Sequence, residues 1–404
     1  MKSLPAALPK ETAEWVRDGL ITEAQRAAIV ARYPAAADGQ SRFVAIIATI
    51  GGVLFAVGVS LVIKANWNVL GDWTKIGGLV ALLVGAQAAG WKLKVVDRRY
   101  EKTGDACLMI GGILFLCGIA LVSQVFHLNS RPASGVMLWW FGIAAVPWLV
   151  RAKGAQFLSM AALLIWLGME MGSPDSWISM SRGGRDFGEG AFGIAAVFYL
   201  LGLALWCGGI ALRETRWSDF SGMHEKWGLF VASGALFQLG FVRHHWEFRR
   251  GGSAPPDLAT AAACALGGAL AVGAGVAAWR SRPAEMRSLL PWVVPPLVPL
   301  AGIVVVGPVG DEGWLWSGLA WLTLFVLSIA AVRTGLQTAR EGWVNLGLLF
   351  LGANIVARYF DLFGEMLEGG VFFIVTGVLV TGLGIFLEKK RRALLAGLRR
   401  EVAS

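Results

Sequence analysis

Four short polar clusters interrupt a chain that is otherwise dominated by apolar residues. They are Lys64-Ala65-Asn66-Trp67, Gln124-Val125-Phe126-His127, Arg243-His244-His245-Trp246 and Arg358-Tyr359-Phe360-Asp361. Each closes an apolar run, so parallel helices would bring the clusters to one polar rim. Lys64, Arg243 and Arg358 supply cations; Asn66, Gln124, His127 and Tyr359 supply hydrogen-bonding groups. Such a rim could hold an anionic or zwitterionic group, for example a lipid headgroup, with Lys64 and Arg358 as charge partners. A second reading is equally physical. Asp361 lies three positions after Arg358, which allows a local helix pair, and long basic side chains can reach the headgroups without recognising anything. The histidines and Asp361 are metal-ligand types, but neighbours on a helix point about 100° apart, and no metal spacing is present. Glu170 is a further lone ionisable group, suited to a proton-linked site or to the interface.

No catalytic residue or cofactor site is assigned. The chain has no HExxH, no GxSxG, no paired intramembrane aspartates and no glycine-rich phosphate loop. The four cysteines Cys107, Cys117, Cys207 and Cys264 lie singly in apolar runs, which suits helix contacts rather than disulfides or zinc.

The elements that would position these clusters are transmembrane helices. Hydrophobic residues make up 56% and charged residues 16%, and mean hydropathy is +0.61. Apolar runs of about 18 or more residues recur along the whole chain, the length a spanning helix needs. The runs predict twelve spans, near 43–64, 76–95, 106–126, 135–150, 155–171, 190–212, 226–243, 258–279, 288–307, 314–332, 342–358 and 370–387. The fourth and fifth are short, suited to kinking or to a partly interfacial position. The ninth carries Pro291, Pro295, Pro296 and Pro299, so it is kinked or broken.

Basic residues set the orientation. With the N-terminus inside, about 27 of the 36 fall on inner segments and about 9 on outer loops. Both termini are therefore expected in the cytoplasm. Lys92, Lys94, Arg98, Arg99 and Lys102 anchor one inner loop, and Lys389, Lys390, Arg391 and Arg392 follow the last span. The net charge of +9 is explained by these loops, not by a nucleic-acid partner. The first 42 residues have no long apolar region of the signal-peptide kind, so the first span is expected to be an uncleaved anchor.

The first and third spans are close copies. Ile50-Gly51-Gly52-Val53-Leu54-Phe55 is repeated as Ile110-Gly111-Gly112-Ile113-Leu114-Phe115, and a weaker echo is Gly347-Leu348-Leu349-Phe350-Leu351-Gly352. An offset of two spans makes this a parallel repeat of hairpins, with glycines where helices pack closely. The expected fold is thus an all-α, polytopic transmembrane bundle of about twelve spans with parallel hairpin repeats. Residues 1–42 form a small cytoplasmic helical hairpin and linker, 43–155 a first bundle, 156–388 a second bundle and 389–404 a basic tail. In the head, Gly19 breaks a first helix, and Thr22 with Gln25 offers a capping box for a second.

Several of these motifs carry a resemblance. Trp15, Asp18-Gly19-Leu20-Ile21-Thr22, Gln25, the glycine-rich first span with Ala65-Asn66-Trp67, and Ser123-Gln124-Val125-Phe126-His127-Leu128 resemble the bacterial predicted membrane proteins called domain of unknown function 2157. The similarity covers roughly residues 10–155, and Arg358-Tyr359-Phe360-Asp361 is similar to the C-terminal region of such proteins. The resemblance implies a bacterial inner membrane location and no established activity. Two functions remain open. One is transport, or handling of a lipid or small ligand, at the outer rim. The other is a scaffold or sensor acting through a protein partner at the N-terminal hairpin.

Overall fold

A computed structural model describes residues 12–32, 69–98, 100–173, 175–176, 187–240, 258–293, 297, 313–338, 340–363 and 370–401. Every element among them is helical. The chain divides into two units, Met1–Gly78 and Leu79–Ser404.

In the first unit residues 12–17 form α1, which ends at Gly19 with φ +72°. Glycine takes this left-handed conformation without steric penalty. Helix α2 (Glu23–Arg32) begins with a reciprocal cap. The Gln25 backbone N–H donates to Thr22 Oγ1 at 3.3 Å, and the Thr22 N–H donates to Gln25 Oε1 at 2.9 Å. Two donors that the helix start would orphan are thereby satisfied.

Helix α3 (Asp72–Trp91) widens into a π-helical turn, Lys92–Val96. The second unit continues with α4 (Glu101–Val125), α5 (Pro132–Ile143), α6 (Val146–Val150), α7 (Lys153–Gly172), α8 (Phe187–Leu212), α9 (Ser221–Leu239) and α10 (Leu258–Ser281). It ends with α11 (Pro283–Val293), α12 (Gly313–Gln337), α13 (Glu341–Phe363) and α14 (Gly370–Glu401).

Among the described residues eight helices are long and apolar enough to cross a membrane. They are α3 with its π turn, α4, the α5–α6 pair, α7, and the apolar stretches of α8, α10, α12 and α13. The expected first span, and with it one copy of the repeat, lies outside the described residues, as does most of the ninth. Helices α9 and α14 occupy the expected seventh and twelfth positions without belonging to the eight. Helix α9 opens with His224, Glu225 and Lys226, which dilute its apolar content. The fourth span, expected to be short, is interrupted between α5 and α6. Pro147 lacks an N–H and would crowd the carbonyl four residues back, at Ile143, which is where α5 stops.

Packing explains which faces are buried. Helices α4, α5 and α7 pack together, α7 also meets α8, and α8 is held between α9 and α10. Helices α12 and α13 pair, and α9 packs on both. Tyr199, Trp206, Leu229, Leu236, Leu324 and Trp343 are buried in the largest core, which these helices share. Trp206 meets Trp343 edge-on, with centroids 5.1 Å apart. The faces turned away from this core are apolar too. Val272 of α10 is 67% exposed and Val378 of α14 68%, surface that only lipid covers well. This chain is therefore a membrane protein in contact with the bilayer.

Close approach rests on small residues. A side chain at Gly228 of α9 would meet the Gly202 carbonyl of α8 at 2.6 Å, so these backbones touch. In α4, Gly111 lies against Gln87 and Gly112 against Leu158, so these two glycines are packing positions.

Candidate lipid-facing binding site

Of the rim residues expected from sequence, Lys64, Asn66 and Arg243 lie outside the described residues. Gln124 and His127 sit, exposed, at the end of α4. His127 takes φ +48°, and the Leu128 N–H returns to the Ser123 carbonyl at 2.9 Å, which closes the helix end. Arg358, Tyr359 and Asp361 lie in the last two turns of α13.

Arg358 pairs with Asp361 and donates to the carbonyl of Gly240, the residue that ends α9. Ser317 of α12 donates to the same carbonyl. Helix ends leave carbonyls without internal partners, and here two other helices supply donors. Thr376 of α14 donates to Tyr359 Oη at 3.3 Å. The structure thus gathers the ends of α9, α12, α13 and α14 around Arg358. It uses the guanidinium internally, in the local pairing with Asp361 that the spacing allowed. Gln124 and His127 belong to a different neighbourhood, because α4 packs on α5 and α7 whereas α13 packs on α9, α12 and α14. Glu170 is not solitary. Its buried carboxylate accepts from Arg131 at 3.0 Å and from Ser176 Oγ at 2.6 Å.

An apolar groove of about 600 Å³ runs between α13 and α14 beside this polar end. Ile355, Val356 and Tyr359 form one wall; Val378, Leu383 and Phe386 form the other. Ile355 and Val356 lie four and three positions before Tyr359, and Val378, Gly382 and Phe386 recur every four, so each helix turns one stripe toward the opening. Such a surface suits an acyl chain or another slim apolar group.

The opposite end of the bundle holds charges whose pairing the sequence did not disclose. Arg213 after α8 pairs with Glu225 of α9 and, at 2.7 Å, with Glu285 of α11. Arg340 before α13 lies 2.8 Å from Glu225 and 3.2 Å from Glu285. Its guanidinium also sits over the Trp343 ring at 5.1 Å. Two cations and two anions therefore balance at four helix ends. In the sequence these arginines look like simple loop anchors; the available signal was an acid beside each of those loops.

Residues 13–156 match the family DUF2157, described as a predicted membrane protein. No curated protein and no solved structure matches the chain. The DUF2157 match runs from α1 to the first turn of α7. It includes Gln124 and His127, and it leaves the Arg358 end, the α13–α14 groove and the four-charge network outside.

Proposed function

We propose that this chain is a multi-pass inner-membrane protein that handles a lipid or similar amphiphile in the groove between α13 and α14. The observation that carries this reading is the apolar groove itself, which opens beside the polar end formed by Arg358, Tyr359 and Asp361. An amphiphile needs both surfaces, one for its chain and one for its polar group. Because Arg358 is already paired with Asp361, the polar end suits a zwitterionic or uncharged headgroup better than a free anion. In the orientation set by the basic residues, this end faces the outer leaflet.

Gly382 offers the test. It borders the groove, and a side chain there would meet nothing within 4 Å. Gly382→Trp should fold normally and fill the groove. A photo-crosslinker in place of Val378 should label lipid in the parent protein and lose most of that labelling in G382W. Equal labelling in both proteins would defeat the reading.

A further inference from the structure

A second cavity, of about 730 Å³, lies at the Glu225 end of the bundle. Segments far apart in sequence close it: the turn between α3 and α4, the junction of α6 with α7, and the link between α8 and α9. Six cations line it: Lys94, Arg98, Lys102, Arg151, Lys153 and Arg216. Against them stand three acids, Glu101, Asp105 and Asp219. Two of the acids are engaged. Lys94 Nζ lies 2.6 Å from Asp105 Oδ1, and Lys153 Nζ 3.8 Å from Asp219 Oδ1. Among the described residues, Arg98, Lys102, Arg151 and Arg216 enter no salt bridge, so the cavity keeps a net positive charge.

Two of these arginines are fixed on an aromatic wall. Arg216 lies 4.8 Å and Arg151 5.8 Å from the centroid of the Trp217 ring. Trp217 is braced edge-on by Trp148 at 5.3 Å. A guanidinium attracted to a ring in this way spends none of its N–H donors on a carboxylate, which leaves them for a planar or tetrahedral oxyanion. Arg98 and Arg151 also adopt positive φ, +49° and +53°, a backbone region that non-glycine residues enter at a cost. The surroundings add a second selection. The cavity sits where the apolar helices α3, α4, α7 and α8 begin or end, and Leu149 and Val96 beside it are 78% and 63% exposed. That places cations, indoles and uncovered apolar side chains together, as at the boundary between headgroups and hydrocarbon.

We propose that this cavity binds the phosphate group of an anionic phospholipid, in the leaflet that the basic-residue bias assigns to the cytoplasmic side. It shares no residue with the α13–α14 groove, so the two readings stand or fall separately.

The test uses the full chain in detergent, with dioleoyl phosphatidylglycerol and dioleoyl phosphatidylcholine as probes and native mass spectrometry as the readout. Phosphatidylglycerol should bind in preference. Removing two cations in R151Q/R216Q should weaken it roughly thirtyfold, with little effect on phosphatidylcholine. R98Q/K102Q carries the same expectation and serves if the first variant does not fold. K389Q/R392Q, which removes two exposed charges of α14, should leave the preference intact. An unchanged preference in both cavity variants would overturn the proposal. Displacement of phosphatidylglycerol by millimolar inorganic phosphate would overturn the lipid as the source and leave a soluble phosphate in its place.

Discussion

Glu225 shows how much a single position can carry. Its side chain is 3% exposed and faces both Arg213 and Arg340. A buried ion network adds little net stability against an apolar replacement, but removing one member leaves the others uncompensated. Glu225→Ala should therefore lower stability by about 3–5 kcal/mol, read as a clear drop in melting temperature in detergent. Glu388 is the control. It pairs with Arg391 at 3.0 Å and Arg392 at 2.7 Å, but it is 41% exposed, and solvent screens such pairs. Glu388→Ala should leave the melting curve where it was. If E225A melts with the parent protein, the network is not structural. The sequence displays these residues but not their partners, because Arg340 and Glu225 are separated by 115 positions and no periodicity links helix ends across such distances. The pair that was legible, Arg358 with Asp361, lies within one helical turn.

Among the helices, the apolar runs reveal α3, α4, α7, α8, α10, α12 and α13 well, since length and composition alone identify a helix that hydrocarbon can surround. The fourth span is legible only as short, and the break between α5 and α6 falls where Pro147 removes a donor. The contacts between helices are harder to read, because in lipid they depend on where small residues let backbones meet rather than on an apolar stripe. The repeat drew attention to Gly111 and Gly112, yet among the described glycines the closest approach of backbone to backbone is between α8 and α9, at Gly228 against Trp206 and Gly202. Gly228→Leu would place a side chain against the backbone of Trp206 and Gly202, neither of which can yield. Gly234 lies on the same helix with nothing within 4 Å of an added side chain. Expression with a fluorescent tag, followed by size-exclusion chromatography, should show G228L lost or aggregated and G234L close to the parent. A monodisperse G228L at parental yield would mean that α8 and α9 do not pack this closely.

At the scale of the whole molecule, the orientation proposed from the basic residues can be tested directly. An alkaline phosphatase fused after Ser176 should be active, and one fused after Glu214 or at the C-terminus should be silent. Activity at the C-terminus would falsify the orientation, and with it the assignment of the two cavities to leaflets. The two bundle ends also bear on motion. Helices α9 and α13 are joined at one end through Glu225 and Arg340 and at the other through Gly240 and Arg358. A pair fastened at both extremities behaves as a strut: rocking it about either end would break the fastening at the other, an ion pair at one end and a charge-assisted hydrogen bond at the other, and sliding it lengthwise would break both. Helix α14 meets α13 along an apolar seam and is hydrogen-bonded to it near both ends, through Thr376 to Tyr359 and through Arg391 to Asn345. A guest reaching that seam would arrive sideways from the bilayer rather than through a channel along the bundle axis.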